Sequence, residues 1–156
     1  MSGKYSVPLR KVIKTHSFET IYLPDKPDSE LVIRSQDINR PGLLFAGYEK
    51  YFDPLRVEFI GLAEMSYLEE LDEQTQKERL ELFFSFKPPA VIITRNIDYP
   101  DVMLELAKKY EVPLLRTAES SSDLSIDTVP TSTGCPFSWQ ALICSIIALS
   151  FPRRVR

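Results

Sequence analysis

The chain is poor in the residues that build most recognisable sites. Its 156 residues include two cysteines, one histidine, one tryptophan and five glycines. A zinc module needs clustered Cys and His ligands, and a small secreted scaffold needs several disulfides, so both are excluded. A Ser-His-Asp or Cys-His centre would have to use His16 as its base. No Gly-x-Ser-x-Gly turn is present to expose a nucleophile. His16 reads instead as a surface residue near a helix end. A net charge of −3 gives no electrostatic reason to expect nucleic acid. The most apolar run, residues 141–151, falls well short of the roughly 20 residues of a membrane helix. The start, Met1-Ser2-Gly3-Lys4-Tyr5, lacks the apolar stretch of a secretory signal, so the expected location is cytoplasmic, with no membrane partner.

Acidic residues are missing from one part only. All of the 22 Asp and Glu lie before residue 130, whereas Cys135, Cys144 and Trp139 all lie after it, with Arg153, Arg154 and Arg156 as the only charges. The expected organisation is a folded unit at 1–129 and an atypical tail at 130–156. The tail reads as a frameshifted, truncated or cloning-derived segment, or else as the partner- or membrane-binding tail of a natural short homologue.

What is present is alternation. Leu9, Val12 and Ile13 predict a short helix beginning near Pro8, and 18–23 and 31–34 read as strands around the turn-rich Pro24–Ser29. A short helix over 43–48 precedes a strand at 57–61. Ser66-Tyr67-Leu68-Glu69 has capping-box spacing. Residues 72–86 put Leu80, Phe83 and Phe84 on one helix face and Glu73 four residues before Lys77. Pro88-Pro89 stops that helix. The uniformly apolar 90–94 then reads as a strand covered on both faces. A helix with Pro100 in its first turn and the stripe Met103, Leu106, Ala107, Tyr110 leads to Val112-Pro113-Leu114-Leu115. That is a βαβ crossover. The fold class is α/β: a small mixed, partly parallel sheet with helices on both faces.

Two patterns bear on phosphate binding. Gly42-Leu43-Leu44-Phe45-Ala46-Gly47 has the two-glycine spacing of a P-loop, but Tyr48-Glu49 stands where Lys and Ser/Thr are required. The segment reads as packing. Arg34, Arg40, Arg95 and Arg116 each fall at or just after a predicted strand end, where parallel α/β sheets collect ligands. One reading has Arg40 and Arg95 holding a small anion or nucleotide-like ligand, with Arg40 beside a helix start at Pro41-Gly42. The other has these arginines pairing with surface carboxylates or making contacts between domains or subunits. The carboxylate pairs Glu69-Glu70 and Asp72-Glu73 read as solvated helix surface.

Several motifs in fixed order carry a resemblance. These are Asp37-Ile38-Asn39-Arg40-Pro41-Gly42-Leu43-Leu44-Phe45-Ala46-Gly47-Tyr48 with Tyr51-Phe52, then Val57-Glu58-Phe59-Ile60-Gly61, Glu64-Met65-Ser66-Tyr67-Leu68, Pro89-Ala90-Val91-Ile92-Ile93-Thr94-Arg95 and Val112-Pro113-Leu114-Leu115-Arg116. Together they span nearly all of residues 7–117, and the stretch closely resembles the amino-terminal domain of HPr kinase/phosphorylase. The resemblance implies a regulatory or assembly domain of a bifunctional bacterial enzyme. That enzyme phosphorylates a serine of the phosphocarrier HPr, reverses the reaction, and controls carbon catabolite repression. It implies ATP or pyrophosphate and Mg²⁺ in a following P-loop domain, HPr as that domain's partner, and a homo-oligomer, a hexamer in the family. It also implies a fold similar to the uridine-nucleotide-binding domain of Mur ligases. There an Asp-Ser-Arg…Pro-Gly stretch contacts ligand; Asp37, Asn39 and Arg40 match it, with Asn39 in place of the serine. Asp37, Asn39, Arg40 and Arg95 are thus the candidate ligand-binding residues, and no catalytic or metal-binding residue is expected. No Gly-x-x-x-x-Gly-Lys-Ser/Thr occurs in the chain, so it is expected to be catalytically inert as written and to hold no cofactor. The alternative is a free-standing Mur-ligase-like module that binds a nucleotide or phosphorylated metabolite.

Overall fold

A computed structural model describes residues 6–35, 37–121 and 124; the tail expected at 130–156 lies outside them. Chain order is β1 (Val7–Pro8), α1 (Leu9–His16), β2 (Glu19–Tyr22), β3 (Val32–Ile33), β4 (Ile38–Asn39), α2 (Gly42–Phe45), β5 (Val57–Ile60), α3 (Leu62–Glu70), α4 (Glu73–Ser85), β6 (Val91–Ile93), α5 (Asp101–Tyr110) and β7 (Leu114–Arg116).

The main sheet runs β2-β7-β6-β5-β4. Strands β4 to β7 are mutually parallel, and β2 pairs antiparallel with β7 at one edge. The expected crossover is present: β6 and β7 pair Val91 with Leu114 and Ile93 with Arg116, with α5 between them in the chain. β1 and β3 form a separate antiparallel pair.

Side chains alternate across a strand, so each central strand supplies both faces of the sheet. One face carries Ile60, Val91, Ile93 and Leu114 against α2 to α5; Phe45, Phe83 and Phe84 on that side have no accessible surface. Phe83 is the hub, with ring centroids 5.3 Å from Phe45, 5.1 Å from Phe84 and 6.2 Å from Phe52. Burying each such ring contributes about 1.5–3 kcal/mol. The other face carries Val57, Phe59, Ile92 and Leu115 under Leu9 and Val12 of α1 and under Leu31 and Ile33. Among the described residues, helices thus cover both faces, four on one side and one on the other.

Two local expectations are corrected. Ser66 does not open a helix; it lies within α3. The helix begins earlier because the Gly61 N–H donates to Glu64 Oε2 at 2.9 Å, which satisfies one of the free donors of a helix start. A second helix restarts at Asp72, whose carboxylate accepts from the Thr75 N–H at 2.9 Å. Glu73 and Lys77 form no ion pair; Gln74 Nε2 donates to Glu78 Oε1 at 2.8 Å instead. Helix α4 ends before Pro88, at Ser85 with Phe86 as its cap, and Lys87 is turned left-handed at φ 51°. Leu44 and Phe45 are buried in the short α2, so the two-glycine segment packs as its apolar interior required.

Candidate functional site at the strand ends

Parallel strands bring their carboxyl ends to one edge, and the residues after β4, β5, β6 and β7 meet there. Arg40 follows β4, Gly61 and Glu64 follow β5, Thr94 and Arg95 follow β6, and Thr117 follows β7. Arg40 Nη2 donates to Glu64 Oε2 at 3.0 Å, the same oxygen that accepts from the Gly61 N–H. Glu64 is 7% exposed, so its charge is held in a largely dry setting by two donors. Gly61 is required for this arrangement: a Cβ there would lie 2.5 Å from Arg40 Nη2. The guanidinium therefore lies directly over the end of β5.

Beside it, the Thr94 N–H and hydroxyl both donate to the Ile60 carbonyl, at 3.0 and 3.3 Å. Arg95 and Asn96 both take the left-handed conformation, at φ 58° and 50°. Their N–H groups donate to the Glu119 and Thr117 carbonyls at 3.0 and 2.8 Å. Two successive non-glycine residues at positive φ are uncommon and are held here by that turn. The Arg95 side chain is exposed and makes no ion pair or side-chain hydrogen bond among the described residues.

The four candidate ligand residues separate. Arg40 and Arg95 share the carboxyl edge. Asn39 turns to β5, its Nδ2 donating to Glu58 Oε1 at 3.2 Å. Asp37 precedes β4 and faces Arg56 at 3.9 Å, towards the opposite end of the sheet. Of the other two strand-end arginines, Arg116 is held by Glu19 through two hydrogen bonds of 2.8 and 3.0 Å. Arg34 follows β3, outside the main sheet, and lines a cavity at the other end. Pairing with carboxylates thus accounts for Arg40 and Arg116, but not for Arg95.

Sequence reading missed Glu58. It sits inside β5 with no accessible surface, and its Oε2 has no hydrogen-bond partner among the described residues. Loss of hydration pushes its carboxyl up to about 8; the Asn39 hydrogen bond opposes the shift, Asp53 adds to it and Arg56 reduces it. A glutamate within an otherwise apolar strand of a doubly covered sheet was the available signal. Glu64 was also missed, because its capping role was assigned to the segment at Ser66. His16 ends α1 and stacks on Phe18 at 5.3 Å, with Nε2 buried and without a hydrogen-bond partner among the described residues. No three His, Cys, Asp or Glu among the described residues lie together as metal ligands.

A family model described as HPr Serine kinase N terminus matches residues 7–129. The chain belongs to this family. Among similar proteins, the HPr kinase/phosphorylase of Clostridium perfringens (strain 13 / Type A) is 39% identical over 111 residues, covering 71% of this chain and 35% of that protein. Its counterpart in Alkaliphilus metalliredigens is 35% identical over 119 residues, covering 76% and 38%. That of Clostridium tetani is 44% identical over 97 residues, covering 62% and 31%. The chain therefore spans about a third of the length of these family relatives. Among solved structures, the fold is similar to the CBS and DRTGG domains of the regulatory region of a Clostridium perfringens pyrophosphatase, a structure solved with the activator diadenosine tetraphosphate. The TM-score is 0.54 at 16% identity, covering 78% of this chain and 47% of that one.

Proposed function

We propose that this chain is the amino-terminal regulatory and assembly domain of a bifunctional HPr serine kinase/phosphorylase that controls bacterial carbon catabolite repression in the cytoplasm. Family membership over residues 7–129 carries this reading. In it, HPr is the partner of a separate catalytic domain, and ATP and Mg²⁺ act there. The two-glycine segment does not fit the phosphates of a nucleoside triphosphate: Leu44 and Phe45 are buried within it, and Tyr48-Glu49 follows it. No helix among the described residues is long and apolar enough to cross a membrane. A role in assembly as a homo-oligomer is supported by the apolar surface on and after α2, where Leu43 and Tyr51 are 69% and 77% exposed.

Grafting residues 7–129 onto the catalytic portion of the Clostridium perfringens relative tests the reading. The graft should shift between HPr phosphorylation and dephosphorylation as ATP and phosphate are varied. A folded graft that responds no differently from the catalytic portion alone would contradict it.

A second reading is a ligand-binding module of Mur-ligase type, holding a nucleotide or phosphorylated metabolite at the carboxyl edge. The unpaired Arg95 side chain on the same edge as Arg40 supports it. Calorimetry with a nucleotide-sugar, on the natural chain and on Arg40→Ala/Arg95→Ala, separates the readings. Binding that the double substitution leaves unchanged would remove this one.

A further inference from the structure

The end of the sheet opposite Arg40 and Arg95 holds a cavity of about 260 Å³. Its walls come from the segments that enter β5, β6 and β7 and from the chain around β3. Besides Leu31 and Val32 near β3, the apolar lining includes six residues of the other segments, Pro54, Leu55, Pro88, Pro89, Pro113 and Tyr110. Four of these six are prolines, whose fixed φ makes the walls stiff before any ligand arrives. Leu55 is 64% exposed, so part of the apolar lining faces solvent.

The charged part is uneven. Lys26, Arg34 and Lys87 line the cavity together with Glu30 and Glu111. Lys26 Nζ lies 2.8 Å from Glu111 Oε2, which neutralises that pair. Lys87 also stabilises the Glu111 charge, but at longer range than Lys26 and without an ion pair. Arg34 and Lys87 are both exposed and form no ion pair or side-chain hydrogen bond among the described residues. Lys87 is held at its root: its N–H donates to the Phe84 carbonyl at 3.0 Å, and its φ of 51° is left-handed.

Arg34 and Lys87, neither in an ion pair among the described residues, thus adjoin a stiff apolar wall, with Glu30 as the remaining carboxylate of the lining. A guanidinium and an ammonium together match the three oxygens of a phosphate monoester. Proline and tyrosine faces suit a flat ring. The volume lies just below the about 300–1,000 Å³ typical of small-molecule sites, enough for one ring and one phosphate. We propose that this cavity binds a small aromatic phosphomonoester, with Arg34 and Lys87 on the phosphate and the prolines and Tyr110 on the ring. The site is separate from the carboxyl edge and does not depend on either reading of that edge.

Phenyl phosphate, titrated into the full chain by calorimetry and by heteronuclear NMR, tests this directly, with inorganic phosphate and phenol as controls. Phenyl phosphate should bind at least about tenfold more tightly than either control, with NMR shifts concentrated at Arg34, Lys87 and Tyr110. Arg34→Gln combined with Lys87→Asn, which keeps a residue tolerant of the left-handed turn, should weaken binding by about tenfold or more. Lys108→Ala, an exposed lysine on α5, should leave binding unchanged. Should the double variant fail to fold, the shift map of the natural chain still decides. Shifts elsewhere, equal binding of inorganic phosphate, no binding up to about 10 mM, or an unaffected and folded double variant would overturn the proposal.

Discussion

Asn39 and Glu58 stand opposite each other on adjacent parallel strands, and the Asn39 amide donates to a carboxyl that has no contact with water, at 3.2 Å. Asn39 lies on the edge strand β4, immediately before Arg40, so a buried titrating group on β5 is tied to the segment that carries the strand-end arginine. The pair makes the stability of the domain a function of pH.

The Glu58 carboxyl is raised from about 4.5 to about 8 in the folded chain. A raised carboxyl pKa means that the folded state holds the proton more tightly than the unfolded state. Its stabilising contribution is therefore complete below about pH 4.5 and is lost as pH rises to about 8. Glu58→Gln removes this proton dependence. Urea unfolding of the two proteins should diverge across that window by about 2–4 kcal/mol, with the glutamine variant the more stable at pH 9. Parallel pH profiles would show that Glu58 does not titrate there. Asn39→Ala, which removes the hydrogen bond that favours the charged form, should move the transition to higher pH.

Gly61 and Arg40 should act as one unit. A methyl at Gly61 meets Nη2 of Arg40 at 2.5 Å, and the guanidinium can swing away at the expense of its contact with Glu64. Gly61→Ala and Arg40→Ala should each cost about 1 kcal/mol, and the double variant scarcely more than either alone. Urea midpoints measured over the four-member cycle check this; additive losses would mean that the two residues are independent.

Phe83→Ala empties the centre of the aromatic cluster that joins α2 to α4. Its cost should be about 3–5 kcal/mol, because the rings of Phe45, Phe52 and Phe84 cannot all close on one cavity. Chemical denaturation measures it. A loss below about 1 kcal/mol would mean that the helical layer repacks freely.

Acid should loosen the β2 edge. The paired hydrogen bonds from Arg116 hold the Glu19 carboxyl below the usual carboxylate range. A lowered carboxyl pKa contributes stability above its unfolded value and loses it as pH falls through the folded one. Protection factors of the amides in residues 19–22, corrected for intrinsic exchange, should therefore fall in acid and in high salt, and Glu19→Gln should remove that acid sensitivity.

Much of the fold was legible because the central strands and α5 follow simple rules. Residues 90–93 are apolar without interruption, as burial on both faces demands, and Met103, Leu106 and Ala107 keep helical spacing. Failures came where one oxygen had two roles. Capping-box spacing occurs at Gly61 to Glu64 and again at Ser66 to Glu69; the second is the better local pattern, and the first wins because tertiary structure also brings Arg40 to Glu64. The candidate ligand residues were legible as types but not as directions. Sequence places Asp37, Asn39 and Arg40 side by side, whereas the pleat and strand end send them to Arg56, Glu58 and Glu64 respectively.

Under the proposed function, this chain helps to regulate and assemble an HPr kinase/phosphorylase and supplies no phosphoryl-transfer site of its own. The direct measurement is phosphate incorporation into HPr by the full 156-residue chain with ATP and Mg²⁺, read by mass spectrometry of the acceptor serine. The account predicts no phosphoserine above a control without the chain. Phosphorylated HPr that grows in proportion to the amount of chain added would contradict it.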